Sequence, residues 1–388
     1  MAKAVEKMIA DTFSDLADAL ESGSFGAAKI VLTGLGSEHG EDNMIKGAAM
    51  AAASGVSVTY IGTAKCEGVK TVHSDSESDA HSIMETMLER GEADGAVTMH
   101  YSFPIGVSTV GRTVTPGFGK AMYVATTTGT SSVHRVEGMV KNALSGIVTA
   151  KACGIANPAV GILNVDGARQ TEIALKELSK NGYDIRFAQS GRSDGGCVMR
   201  GNDVLTGSCD VLVTDPLTGN IMIKMLSSFT TGGSFESLGW GYGPGLGDDF
   251  DKLVLILSRA SGVPVVANAI SYAAQLVRGR YREVFKNELA SAKKAKLSQV
   301  LNALREKNAP ASGGGAALTV SEPAKEAVTE EISGIEITDI EDAVSALWQE
   351  GIYAQSGMGC TGPVVLVSKA KLKQAKDILT AKGYAGAE

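Results

Sequence analysis

The 388-residue chain reads as an α/β protein: a mostly parallel sheet with helices on both faces, and a small C-terminal βαβα module behind a linker. Two observations predict the sheet. Short β-branched runs alternate with segments of helical periodicity, and glycine is abundant. The 47 glycines among 388 residues, beside 5% aromatics, exceed a usual share of roughly 7% and suit close helix–sheet packing. The third observation is the Ala/Gly/Pro-rich stretch 308–331, a linker composition that sets off the C-terminal unit.

In chain order, Val5, Met8, Ile9, Phe13, Leu16 and Leu20 recur at helical spacing and predict an amphipathic helix over 4–21, within an N-terminal segment 1–23. The α/β body then occupies 24–307. Lys29–Thr33 is a strand, Gly34–Gly40 a glycine loop and Asp42–Ala53 a helix. That order presents N–H groups to an anion, or forms an ordinary βα turn. The spacing is not Gly-x-Gly-x-x-Gly, and the next strand, Val56–Ile61, ends without an acidic residue to hold a ribose, so a nicotinamide cofactor is disfavoured. A helix over 76–91, the strand Gly95–Met99 and the loop His100–Pro104 follow. Ala121–Ala125 and Gly161–Val165 read as strands, Arg169–Asn181 as a helix, and Asp184–Ala188 and Val211–Val213 as strands, the last running into Asp215–Asn220. Ligands in such sheets sit beyond strand C-termini, at Gly34–Gly40, His100–Pro104 and Asp215–Asn220. Gly247-Asp248-Asp249 before Leu253–Ile256 reads as helix capping rather than a cation site. Long helices cover Val265–Lys307. Beyond the linker, 332–388 holds the strand Ile335–Thr338, the helix Ile340–Gln349, the strand Pro363–Val367 and the helix Lys369–Lys382.

With 36 basic against 43 acidic residues, the net charge of −7 leaves no basic stripe for nucleic acid. Five separated cysteines, 66, 153, 197, 209 and 360, form no Cys-x-x-Cys pair, which argues against a disulfide framework or zinc site and for a reducing cytoplasm. Glu6, Asp11 and Asp15 disfavour a signal peptide, and the uncharged run Gly47–Ala64 is too rich in Gly, Ser and Thr for a membrane span. The five histidines show no metal spacing; His39 and His100 fall in strand-end loops. Arg192, Arg200 and Lys224 are either anion anchors or surface charges.

The most suggestive stretch is Gln355-Ser-Gly-Met-Gly-Cys-Thr-Gly-Pro363. Glycines crowd around Cys360, so the thiol is either a nucleophile beside free backbone N–H groups or a small buried hydrophobe.

Gly36-Ser37-Glu38-His39 with Lys46-Gly-Ala, Gly161–Val165 and above all Asp210-Val-Leu-Val-Thr-Asp-Pro-Leu-Thr-Gly-Asn-Ile-Met-Ile-Lys224 resemble the phosphate acyltransferases of phospholipid synthesis over roughly 28–285. Those enzymes transfer an acyl group from a carrier thioester to phosphate and share an architecture with phosphate acetyltransferases and isocitrate dehydrogenases. The whole chain, including Gly357–Pro363, is similar to the alpha subunits of component C of clostridial glycine/sarcosine/betaine reductases. This resemblance implies Cys360 as the acyl-accepting catalytic residue, inorganic phosphate as substrate with no tightly bound cofactor, and release of acetyl phosphate. It also implies a component C beta subunit and selenoprotein A, carrier of the carboxymethyl group, as partners in a homo- and hetero-oligomer. Asn220 and Lys224, with Arg192, Ser37 and His39, are the candidate phosphate-binding residues. Tyr101–Pro104 and Arg259-Ala260-Ser261 replace the Asn-Thr-Gly loop and His-Gly-Ser turn of the stand-alone acyltransferases, which favours a small acetyl group over a long acyl chain. The alternatives are a stand-alone acyl-carrier phosphate acyltransferase and a non-catalytic scaffold subunit.

Overall fold

The computed structural model describes residues 27–193, 195–308, 322–335, 339–359 and 362–384. The expected N-terminal helix, most of the linker, residues 336–338 of the expected strand and Cys360 lie outside the described residues.

The body opens with β1 (Lys29–Thr33), α1 (Gly40–Ala53), β2 (Ser57–Gly62), β3 (Lys70–His73), α2 (Glu77–Glu89) and β4 (Gly95–Thr98). It continues through β5 (Phe103–Pro104), β6 (Val107–Val114), β7 (Ala121–Thr130), α3 (Arg135–Ala152), β8 (Ala159–Leu163), α4 (Ala168–Lys180), β9 (Arg186–Phe187) and β10 (Val198–Met199). Next come α5 (Gly201–Thr206), β11 (Val211–Val213), α6 (Pro216–Ser228), β12 (Gly243–Leu246), β13 (Val254–Ile256), α7 (Val263–Arg278), α8 (Tyr281–Lys294) and α9 (Leu297–Asn308).

Among the described residues, twelve strands form one sheet, ordered β10-β8-β11-β7-β6-β12-β13-β4-β1-β2-β3, with β9 beside β8. Neighbours are parallel except at three central steps, β7–β6, β6–β12 and β12–β13. Three reversals leave the half built on β1 and β4 running opposite to the half built on β7, β8 and β11. The expected ligand loops therefore do not share one edge of the sheet. Both faces are covered, because β1 sends Ile30 and Leu32 into one apolar cluster and Val31 into the other. Helix α1 lies close against α7: a Cβ on Gly47 would sit 2.5 Å from Val266.

The structure goes beyond or against the sequence reading at three places. Leu253–Ile256 contributes the strand β13, buried between β12 and β4, so Asp248 and Asp249 cap no helix; they lie in the turn that Gly247 and Phe250 close. Strand β6, Val-Ser-Thr-Val-Gly-Arg-Thr-Val, carries no apolar run, and its ladder with β7 and β12 outweighs that composition. Around Cys360, itself outside the described residues, the flanking glycine-rich residues are strand. Gln355–Gly359 belongs to β15 (Ala354–Gly359), which pairs antiparallel with β16 (Gly362–Val367) up to Gly359 opposite Gly362.

This hairpin lies in a second sheet, ordered β14-β16-β15-β5, where β14 is Glu330–Ile332. Glu330 and Glu331, placed in the linker by composition, are thus already strand. The edge strand β5 comes from the body: Phe103 pairs with Met358 and Pro104 with Gly357. Helices α10 (Ile340–Gln349) and α11 (Leu372–Ala381) cover the sheet with Ile340, Leu347 and Leu379, and Ile105 and Val133 of the body pack against the same cluster.

Candidate functional site

The loop after β1 is a closed turn. Glu38 N–H donates to the Arg259 carbonyl (2.9 Å), Gly40 N–H to the Ser37 carbonyl (3.2 Å) and His39 N–H to Ser37 Oγ (3.2 Å). The N–H groups of Glu38, His39 and Gly40 are thus spent on closing the turn. Its glycines answer to packing: a Cβ on Gly34 would fall 1.9 Å from the Tyr60 hydroxyl, and Gly36 holds φ +93° against Glu77.

Helix α6 undoes the separation imposed by the sheet. It starts at the C-terminal end of β11 and lies back along β7 and β6, antiparallel to β7. Gly219 meets Thr126, and four residues later Ile223 meets Gly111, the partner of Val124. Asp215 caps the helix, accepting from Thr218 N–H at 3.0 Å, while Pro216 fills its first turn. Asn220 Nδ2 donates to the Thr127 carbonyl (3.1 Å), and the last turn receives Ser237 and Leu238, both of whose N–H groups donate to the Ser227 carbonyl. Lys224 therefore arrives beside the segment Phe235–Glu236.

That segment joins the two halves. Phe235 packs edge-on against the His39 ring, with centroids 6.0 Å apart. Glu236, only 3% exposed, accepts from Ser261 Oγ at 3.1 Å, and the Ser261 carbonyl accepts from Asn43 Nδ2 of α1 at 2.9 Å. Burial pushes the Glu236 carboxyl above its ordinary value, against the opposing pull of Ser258, Ser261, Lys224 and Tyr242. The Tyr242 hydroxyl is buried and makes no well-formed hydrogen bond among the described residues, although the Glu236 charge acts on it. The main chain of Tyr242 continues the network, its carbonyl accepting from Thr127 Oγ1 at 2.7 Å.

Of the residues selected from sequence, Lys224 acts on the Glu236 charge and His39 packs against the adjacent Phe235, while Ser37 lies in the turn of His39 and Asn220 one helical turn before Lys224. Ser37 and Asn220 are half-buried, His39 and Lys224 exposed. Arg192 belongs elsewhere, lining a cavity of about 360 Å³ with Asn164, Arg169 and Cys197. Cys360 lies outside the described residues; its neighbours Gly359 and Gly362 face each other across the hairpin that β5 anchors. Sequence reasoning missed Glu236 and Tyr242, which stand in a glycine-rich segment without periodicity. Ser261 had one signal, its place in the turn where the stand-alone enzymes carry His-Gly-Ser.

A second polar cluster occupies the ends of β1 and β4. Thr33 Oγ1 donates to Thr98 Oγ1 (2.7 Å), which lies 3.0 Å from His81 Nε2. Burial, with His100 nearby, lowers the His81 pKa. Arg259 pairs with Glu77 at 3.2 Å on the same side. No group of His, Cys, Asp or Glu among the described residues is arranged to hold a metal, and no helix among them is long and apolar enough to cross a membrane.

A family model described as "Fatty acid synthesis protein" matches residues 28–366. The chain is 55% identical over 382 residues to the glycine/sarcosine/betaine reductase complex component C subunit alpha of Peptoclostridium acidaminophilum, covering 98% of each chain. Over 120 residues it is 32% identical to the phosphate acyltransferase of Phenylobacterium zucineum (strain HLK1), 26% of this chain and 32% of that one. Among solved structures, a branched-chain phosphotransacylase from Enterococcus faecalis V583 aligns at TM-score 0.45 and 17% identity, covering 64% of this chain and 98% of that one. The chain belongs to the fatty acid synthesis protein family and, within it, to the alpha subunits of component C of the glycine/sarcosine/betaine reductase complex.

Proposed function

We propose that this subunit passes an acetyl group, held as a thioester on Cys360, to inorganic phosphate and so releases acetyl phosphate. A phosphate oxygen attacks the acetyl carbonyl carbon, the C–S bond breaks, and its electron pair returns to sulfur, which takes up the proton that phosphate gives up. The reaction needs phosphate fixed beside a developing oxyanion, and therefore cationic and amide donors held at defined positions. The observation that carries this reading is the course of α6, which brings Lys224 close enough to act on the charge of Glu236, next to the Phe235 that packs against His39. Arg192, in its separate cavity, is at most a peripheral anion contact. A beta subunit and the selenoprotein that carries the carboxymethyl group complete the complex in a reducing cytoplasm, with no tightly bound cofactor on this chain.

Arsenolysis tests the proposal. Arsenate accepts acetyl as phosphate does, and its acyl ester hydrolyses, so the subunit should drain acetyl phosphate when arsenate is present. Cys360→Ala should abolish the drain, and Lys224→Ala should raise the arsenate concentration needed roughly tenfold, the loss of one charge-assisted contact. Undiminished arsenolysis in Cys360→Ala would favour direct transfer in the body, as in a stand-alone acyltransferase. Arsenolysis seen only after the beta subunit is added would favour a scaffold role.

A further inference from the structure

The described chain begins at Ala27, and its first strand is anchored at once. Lys29 N–H donates to Asp94 Oδ2 at 2.8 Å, and Asp94 N–H donates to the Lys29 carbonyl at 2.8 Å. Asp94 also lines a cavity of about 410 Å³ between the turn after α2 and the turn joining α7 to α8. Leu88, Ala93, Val277 and Tyr281 supply its apolar wall, and Arg280 and Arg282 stand exposed on its rim. The cavity lies at the N-terminal ends of β1 and β4, the edge of the sheet opposite the Thr33–Thr98 cluster.

We propose that the occupant of this cavity is the Phe25 side chain of the same chain. Three features favour it over a second copy or another protein. The first is reach. Phe25 precedes Lys29 by about 14 Å of extended chain at most, and Lys29 is bonded to a residue of the cavity wall. So short a tether gives Phe25 an effective concentration on the order of millimolar. The second is fit. An apolar cavity of about 150 Å³ already accepts a benzene ring, and here Tyr281 offers an aromatic neighbour. Phe25 is the one large apolar residue between Glu21 and Lys29, and Gly23 and Gly26 beside it let the backbone turn inward. The third is charge. Residues 11–26 carry Asp11, Asp15, Asp18 and Glu21 and no base, while the α7–α8 turn presents Arg278, Arg280 and Arg282. Glu283 pairs with Arg280 at 3.7 Å, which still leaves that turn net positive. With Phe25 docked, residues 1–24 would depart from the edge of the sheet away from the candidate site. The expected amphipathic helix would then leave Ser37 and His39 uncovered.

Photo-cross-linking in the full chain decides the matter. With 4-benzoylphenylalanine in place of Phe25, irradiation should join position 25 to residues within 88–94 or 277–283, as located by peptide mapping. The product should run at the single-chain mass of 40.0 kDa on a denaturing gel. The same group in place of Phe13 should not give these adducts. Val277→Trp, at a half-buried wall position, should fill the cavity and abolish the cross-link from position 25, with an unchanged circular dichroism spectrum. Chymotrypsin should cleave wild type after Phe25 roughly tenfold more slowly than Val277→Trp, the protection that burying one phenylalanine confers. Should Val277→Trp fail to fold, the cross-link map decides alone. Cross-links between two chains, adducts outside 88–94 and 277–283, the same adducts from position 13, or equal cleavage of the two folded proteins would overturn the proposal. These measurements need no acetyl transfer, so they can fail while the proposed chemistry stands, and the reverse.

Discussion

The Ser261 hydroxyl donates to the Glu236 carboxylate across 3.1 Å, and that bond ties the turn after β13 to the segment following α6. Each residue belongs to a different half of the reversed sheet. The bond therefore holds Lys224 and His39 in one region.

A charge as buried as Glu236 destabilises the fold that contains it. Its folded pKa is raised, so the stability it contributes is complete below the unfolded carboxylate value and is lost as pH rises through the folded value. Glu236→Gln should remove that decline. Urea midpoints of the two proteins should converge in mild acid, and at neutral pH the variant should equal or exceed wild type while needing more arsenate in arsenolysis. A variant that is less stable at neutral pH than in acid, relative to wild type, would refute this sign.

Glu137 titrates in the opposite sense. Burial raises its pKa, but hydrogen bonds from Arg305 (2.6 and 2.8 Å) and Lys141 more than reverse that, bringing the carboxyl down to about 2. Its contribution should be present above the ordinary carboxylate value and vanish as pH falls from there toward 2. Arg305→Met should cost about 3 kcal/mol at neutral pH by leaving a buried carboxylate short of a partner. Denaturation at pH 7 and pH 3 should show the gap between variant and wild type narrowing in acid.

Limiting iodoacetate should label Cys360 ahead of the other thiols. Cys197 and Cys209 are buried, with pKa values pushed up to about 11 and about 12, and burial raises Cys153 as well. Cys66 is half-buried and is the competitor to watch. Peptide mapping that finds 197 or 209 modified first would contradict the burial of those thiols.

Gly219→Ala should be severe for a helix substitution that ordinarily stabilises. The added methyl would lie 1.8 Å from the Thr126 carbonyl oxygen, so α6 must lift from β7 and take Asn220 away from Thr127. A loss of about 2 kcal/mol or more, with weakened arsenate dependence, is the expected outcome. Thermal unfolding that leaves the midpoint unchanged would show that the helix can shift without cost.

The alternating pattern was legible because β1, β4, β8 and β11 are buried on both faces and β-branched, while α1 and α4 keep helical periodicity. Helix α10 was read to the residue, as Ile340–Gln349. Strands β6 and β15 were not legible: Ser, Thr and Gly look like loop until a neighbouring strand supplies the ladder, and that neighbour is distant in sequence. Asn220 and Lys224 stood out through a continuous motif. Glu236 did not, because its significance comes from residues 224, 242 and 261 folding around it, and no spacing announces such a convergence. The sheet reversal was equally hidden, since strand direction depends on three pairings that local pattern does not encode.

The pairing of Phe103 with Met358 also constrains the order of assembly. During synthesis β5 emerges long before its partner β15, which lies far along the sequence. Until then Phe103–Pro104 is an open edge, able to accept a foreign strand. The glycine hairpin then arrives as the closing piece, so a nascent chain cannot present the Cys360 region in its final setting before the body exists to receive it. Folding itself thus acts as a timer on the thiol.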